Sequence, residues 1–238
     1  MRRFLLLLTA VIQLSFLAAQ NQTQQYLERI EPNLKPGNLK SAYLDYDFSS
    51  LIIPKRDFLG YIGSEYQRIK IFYTSVCKDS DNPENYFIEG ISIVKNNKCD
   101  FSGTVKVKEV RERNSMEYGL DSKYIDAGFK AQGVMIAEYE FLEDKSQSHV
   151  GTFTGLMIID WLVDKHGVIH LNDINWYSDN YRNNQHIGTW TPYGSDKSKT
   201  CNWGTRRIPF SGDLDIGVGE FYVNPKYEDN GWEFINTF

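Results

Sequence analysis

The last third of the chain brings together the residue types best suited to recognition chemistry: Trp176, Tyr177, Trp203, Arg206, Asp213 and Asp215. Flat rings beside guanidinium, amide and carboxylate groups are what a sugar-binding surface or a protein hot spot uses. Tyr181, Arg182, Trp190, Tyr193 and Arg207 lie in the same stretch. Trp176 sits among Asp173, Asn175 and Asp179, and Trp203 among Lys199, Asn202 and Arg206, so both are expected at the surface. Trp190 occupies a strand pattern equivalent to that of Phe153 and is expected inside. The competing reading is that the rings are packing, since aromatics bury large areas. Asp213-Leu214-Asp215 would put two carboxylates on one face of a strand, about 7 Å apart at the α-carbons. With Glu220 close behind, such a pair could serve a glycan hydrolase, one group protonating the leaving oxygen and the other attacking or activating water. Carboxylates so placed also suit calcium. Gly212 and Gly217 equally mark the segment as a solvated loop.

Histidines suggest less. His166 and His170 would share a helix face and could hold zinc. Gly167, Val168 and Ile169 point instead to a turn and a strand, which separates the two rings by roughly 13 Å. The loop from Asp79 to Asn85 is acidic but lacks the spacing of a calcium-binding EF-hand. No Gly-x-Ser-x-Gly elbow, His-Glu-x-x-His, phosphate loop or dinucleotide fingerprint occurs. No metal and no cofactor are therefore expected. Ligand or partner binding is favoured over catalysis, the partner being a carbohydrate or a protein. A purely structural or assembly role is the third reading.

Strands must position these groups. Residues 67–77 alternate, with Ile69, Ile71 and Tyr73 on one face and Arg68, Lys70 and Thr74 on the other. Residues 101–110 place Phe101, Gly103, Val105 and Val107 together, and residues 133–141 do the same for Met135, Ala137, Tyr139 and Phe141. Period-two alternation marks a sheet with one buried face. Ile69, Ile71, Val105, Val107, Met135 and Tyr139 are expected to share one core. Asn96-Asn97 is read as a hairpin turn and residues 164–167 as another. Segment 111–130 reads as a loop or as holding a short helix, and 177–215 as loop with short strands only.

Two hexapeptides nearly repeat: His149-Val150-Gly151-Thr152-Phe153-Thr154 and His186-Ile187-Gly188-Thr189-Trp190-Thr191. Their glycines suit a sheet that coils tightly. The Gly188-Thr189-Trp190 triplet resembles the Gly-x-Trp motif of the lipocalins, although that motif opens the lipocalin barrel and this one comes late. The expected fold is all-β and mainly antiparallel, a barrel or strongly bent sandwich, lipocalin-like in texture, with little helix.

Residues 1–19 read as a secretory signal peptide. Arg2 and Arg3 precede an apolar run, and Ala18-Ala19 precedes a glutamine-rich stretch beginning at Gln20. The expected product is exported, periplasmic or extracellular, with no transmembrane anchor once the leader is gone. Residues 20–48 read as an exposed lead-in, with a short helix around 24–30, and 49–238 as one β-rich domain. Net charge is −5 before the two leader arginines are lost, which disfavours nucleic acid as a partner. Three cysteines, Cys77, Cys99 and Cys201, leave at least one thiol unpaired, so the apolar core must carry the fold.

Overall fold

Alternation builds the staves. Strand β2 (Gln67–Lys78) buries Ile69, Ile71 and Tyr73 and turns Lys70, Phe72 and Thr74 outward. Strand β4 (Asn97–Glu112) buries Phe101, Val105 and Val107, and β5 (Ala131–Glu143) buries Met135, Ala137, Tyr139 and Phe141. The six core positions expected from the sequence all belong to one cluster. The remaining strands are β1 (Phe58–Ile62), β3 (Asn85–Val94), β6 (Gly151–Val163), β7 (Ile169–Leu171), β8 (Asn183–Pro192) and β9 (Lys199–Thr205). These elements come from a computed structural model that describes residues 21–233. The proposed leader lies outside the described residues.

All strand pairs are antiparallel, in the order β5-β4-β3-β2-β1-β9-β8-β6-β7, and β5 also pairs with β6. Eight strands thus close into a barrel, and β7 adds to the edge of β6 beside β8. Closure decides for a barrel over a bent sandwich. Register shifts at Tyr73/Ser75, Val107/Glu109 and Asn183/His186 supply local bending. The 164–167 turn forms as read, between β6 and β7, whereas the β3–β4 turn falls on Lys95-Asn96, one residue earlier than read, with Lys95 at φ 54°.

The repeated hexapeptides become adjacent strands. Phe153 lies opposite Trp190, Thr154 opposite Thr189, and Gly155 opposite Gly188. A β-carbon at position 188 would sit 2.1 Å from the Thr154 carbonyl oxygen and 2.4 Å from Tyr139 Oη, so the phenol lies directly over the glycine pair.

The interior is filled by rings. Tyr73, Phe101, Tyr139, Phe141, Phe153 and Trp203 are all buried. His186 lies among them, stacked on Trp203 at 4.5 Å and 15°, with Nε2 2.8 Å from Tyr73 Oη. Burial holds its pKa down to about 3.

Two expectations need correction. The 20–48 lead-in is not simply exposed. Residues 21–30 form helix α1, whose Tyr26 packs on Val134, Ile136, Ile158 and Ile187 outside the barrel. Helices α2 (Lys40–Tyr43) and α3 (Ser49–Ile52), with Phe48 between them, send Tyr43, Phe48, Leu51 and Ile52 into the core. Asn184 Nδ2 donates to the Leu51 and Ile52 carbonyls at 3.1 and 2.9 Å, and the Phe48 amide donates to Tyr86 Oη at 3.1 Å. This segment stoppers one end of the barrel. The second correction concerns 177–215, which contains two full staves, β8 and β9. The residues that follow β9 return along the outside, where Ile208, Leu214, Val223 and Trp232 cluster with Tyr61. All three cysteines are free, Cys77 exposed and the other two buried.

Candidate ligand site at the barrel mouth

Four hairpins turn at the end away from α2 and α3: β1–β2, β3–β4, β5–β6 and β8–β9. Between them lies a cavity of about 560 Å³. Ile62, Ile69, Val94, Phe153 and Trp190 give it apolar walls, and Ser92 and Glu143 also line it.

Glu143 is 5% exposed. Its Oε2 accepts from the Gly151 amide and from Trp190 Nε1, both at 2.8 Å. Its other oxygen accepts from the Ser92 hydroxyl. Every one of these donors is neutral, and Glu143 has no ion pair among the described residues. A carboxylate taken from water keeps its charge at tolerable cost only when hydrogen bonds replace the lost hydration. The rim holds Glu65, Lys95, His149 and Lys199, all exposed. Lys199 Nζ stands 5.7 Å from the Trp190 ring centroid. Burial, and next the nearby Glu143 charge, hold the Cys201 thiol well above its usual pKa and also raise that of Cys99.

The residues expected to bind from sequence are scattered. Trp203 is wholly buried in the barrel centre, which overturns its expected exposure. Its polar neighbours misled because alternation turns Asn202 and Gly204 to the opposite face. Trp190, expected inside, is only partly buried and lines the mouth. Trp176 and Tyr177 do lie together, ring centroids 3.5 Å apart, with the Arg56 guanidinium 4.3 Å above Trp176. Arg206 donates to the Trp176 carbonyl at 3.4 Å and lies 3.9 Å from Glu220. Tyr177 and Arg206 border a second hollow on the barrel flank, of about 640 Å³.

Asp213 and Asp215 are not a pair on one strand face. Asp213 belongs to a 3-10 turn (Gly212–Leu214) that opens with Gly212 at φ 54°, and its carboxylate is held by Lys226 and Tyr227. Asp215 forms an isolated bridge with Val223, pairs with Arg207, and accepts from the Gly217 and Tyr222 amides at 3.0 and 3.1 Å. Its work is to shape a loop. His170 pairs with Asp164 at 2.9 Å in the β6–β7 hairpin. His149 stands at the mouth while His186 lies opposite Met157 in the interior, so the two are not neighbours. Among the described residues no three His, Cys, Asp or Glu side chains converge as a metal site would require. None of their helices is long and apolar enough to cross a membrane.

Sequence reasoning passed over Glu143, though the signal was present. The face that runs Met135, Ala137, Tyr139, Phe141 continues at 143, where an acid takes an inward position. Ser92 follows in the same way from Tyr86, Ile88 and Gly90. Comparisons with protein-family models, with curated proteins and with solved structures found no match to this chain.

Proposed function

We propose that the protein is an exported, non-enzymatic binding protein whose barrel mouth takes one small amphipathic molecule. The observation that carries this reading is a cavity of about 560 Å³ with aliphatic and aromatic walls and one buried carboxylate. Small-ligand sites are typically apolar hollows of about 300–1,000 Å³ with a few placed polar groups. Rings packed through the barrel centre and the α2–α3 stopper confine binding to this end. A hydrolase built on Asp213 and Asp215 draws no support from carboxylates held apart by separate partners.

A neutral apolar fluorophore, N-phenyl-1-naphthylamine, tests the reading. Saturable one-to-one uptake is expected, weakened about tenfold or more by Val94→Trp, which fills the mouth. The variant should melt as the wild type does. Absence of saturable uptake, or uptake indifferent to Val94→Trp, would refute the site. Export is tested separately by intact mass: secreted protein should begin at or near Gln20, and retention of Met1 would refute it.

The flank supports a second reading, a protein partner in place of a small molecule. Tyr177, Ile216, Val218 and Tyr222 are all exposed there, Val218 to 91%, beside Arg206. Exposed apolar side chains grouped around an arginine are the makings of an interaction surface.

A further inference from the structure

We infer that the molecule held in the mouth carries a positively charged head, an organic ammonium, directed at Glu143. This rests on the binding reading above and specifies its ligand class. Among the charged groups lining the cavity, Glu143 alone is buried; Glu65, Lys95, His149 and Lys199 are exposed on the rim. Rim charges of both signs are screened by water and do little to select a ligand. A charge in the less polarisable interior acts far more strongly at the same distance.

The donor count points the same way. Glu143 accepts three hydrogen bonds, two on Oε2 and one on Oε1. A carboxylate has room for about four, so Oε1 keeps an acceptor position. The three bonds orient the group without neutralising it, since a hydroxyl, a peptide amide and an indole carry no charge. A purely apolar ligand end seated there would strip remaining water from the acid and return nothing. An anionic end would be repelled. An ammonium would donate to Oε1 and neutralise the charge.

The aromatic walls fit the same head. Trp190 is tethered at its edge by the bond to Glu143, which leaves its face for a cation, and Phe153 lies opposite it on the neighbouring strand. Ring faces attract ammonium groups within about 6 Å. Lys199 already holds an ammonium 5.7 Å from the Trp190 centroid. Its side chain is exposed and can swing away when another cation arrives.

The test compares octylammonium, octanol and octanoate by calorimetric titration of the full secreted chain at neutral pH. The three share one tail and differ only in the head. Octylammonium should bind about tenfold or more tighter than octanol, and octanoate should be weakest. Glu143→Gln keeps the shape and can still accept from Gly151 and Trp190. It should bring octylammonium and octanol to within about threefold of each other while far-ultraviolet circular dichroism still shows the wild-type fold. Should Glu143→Gln fail to fold, the wild-type ranking decides alone. Octanol binding as tightly as octylammonium, octanoate binding tightest, or a folded Glu143→Gln protein that keeps the full preference would each overturn the ammonium inference and leave the mouth as a binding site. Failure of all three and of the naphthyl probe would overturn both.

Discussion

Replacing Trp203 by alanine should unfold the protein at a much lower temperature, although the residue lies in the segment that looks most like a surface from sequence. The indole is fully buried. It stacks on His186 at 4.5 Å and meets Tyr139 at 5.2 Å and Phe153 at 6.1 Å. Alanine would leave a void bounded by rings that are themselves anchored in strands β5, β6 and β8, so the walls have little freedom to collapse. Truncation of a core tryptophan costs about 3–5 kcal/mol. For a domain of this size each kcal/mol lowers the melting temperature by about 2–4 °C, which gives a fall of roughly 6–20 °C. Trp176→Ala is the control. Trp176 is partly exposed beside Tyr177 and Arg56, and its loss should cost little, within about 1 kcal/mol. Thermal melts followed by far-ultraviolet circular dichroism separate the two. A Trp203→Ala shift below about 2 °C, or a Trp176→Ala shift of equal size, would show that the barrel centre is not packed as described.

Two further outcomes follow. Gly188→Ala should destabilise strongly, because a β-carbon at 188 meets the Thr154 carbonyl and the Tyr139 phenol; a melting shift below about 2 °C would refute the Tyr139 arrangement. His186, held down to about 3 by burial, stays neutral where an unfolded imidazole with a pKa of about 6.5 takes up a proton. Its contribution to stability is therefore full above pH 6.5 and is lost as the pH falls toward 3. Nitrogen-15 spectra of the folded protein at pH 5 should show the His186 imidazole neutral, and a His186 that titrates near 6.5 while folded would refute the assignment.

What the sequence disclosed of the fold is what alternation can disclose. Strands β2, β4 and β5 put aliphatic and aromatic residues on one face and charged or polar ones on the other, and their core membership was readable residue by residue. Strand β8 gave no such signal because its inward positions are Asn184, His186, Gly188 and Trp190, a polar and small set that only a finished barrel can satisfy. Asn184 finds the carbonyls of α3, His186 finds Tyr73, and Gly188 makes room for Tyr139. Those partners are far away in sequence and have no local signature. The same reason hides the stopper: Tyr43 and Phe48 sit among polar residues and are buried only because the barrel end stands open to receive them. At the site, only Trp203 takes the face opposite to the expected one; Trp190 does face inward, opposite Phe153, but at the mouth, where it is only partly buried. Counting in twos from Tyr139 through Phe141 reaches Glu143.

Strand β9 is the last stave to be made, and it goes in between β1 and β8. Tyr61 and Asn202, whose side chains bond at 3.0 Å across that seam, stand 141 positions apart in the chain. Contacts between such distant positions form slowly. Until they form, β1 and β8 both present bare edges, which are templates for unwanted pairing. Trp203 has no interior to enter, and the rim lacks Lys199 and its hairpin. The mouth is thus a property of the completed ring and of no earlier stage. Any molecule that binds there holds the ring shut, stabilising the closed form in proportion to the logarithm of its concentration above Kd. Filling the mouth would thus raise the stability of the closed ring as a whole.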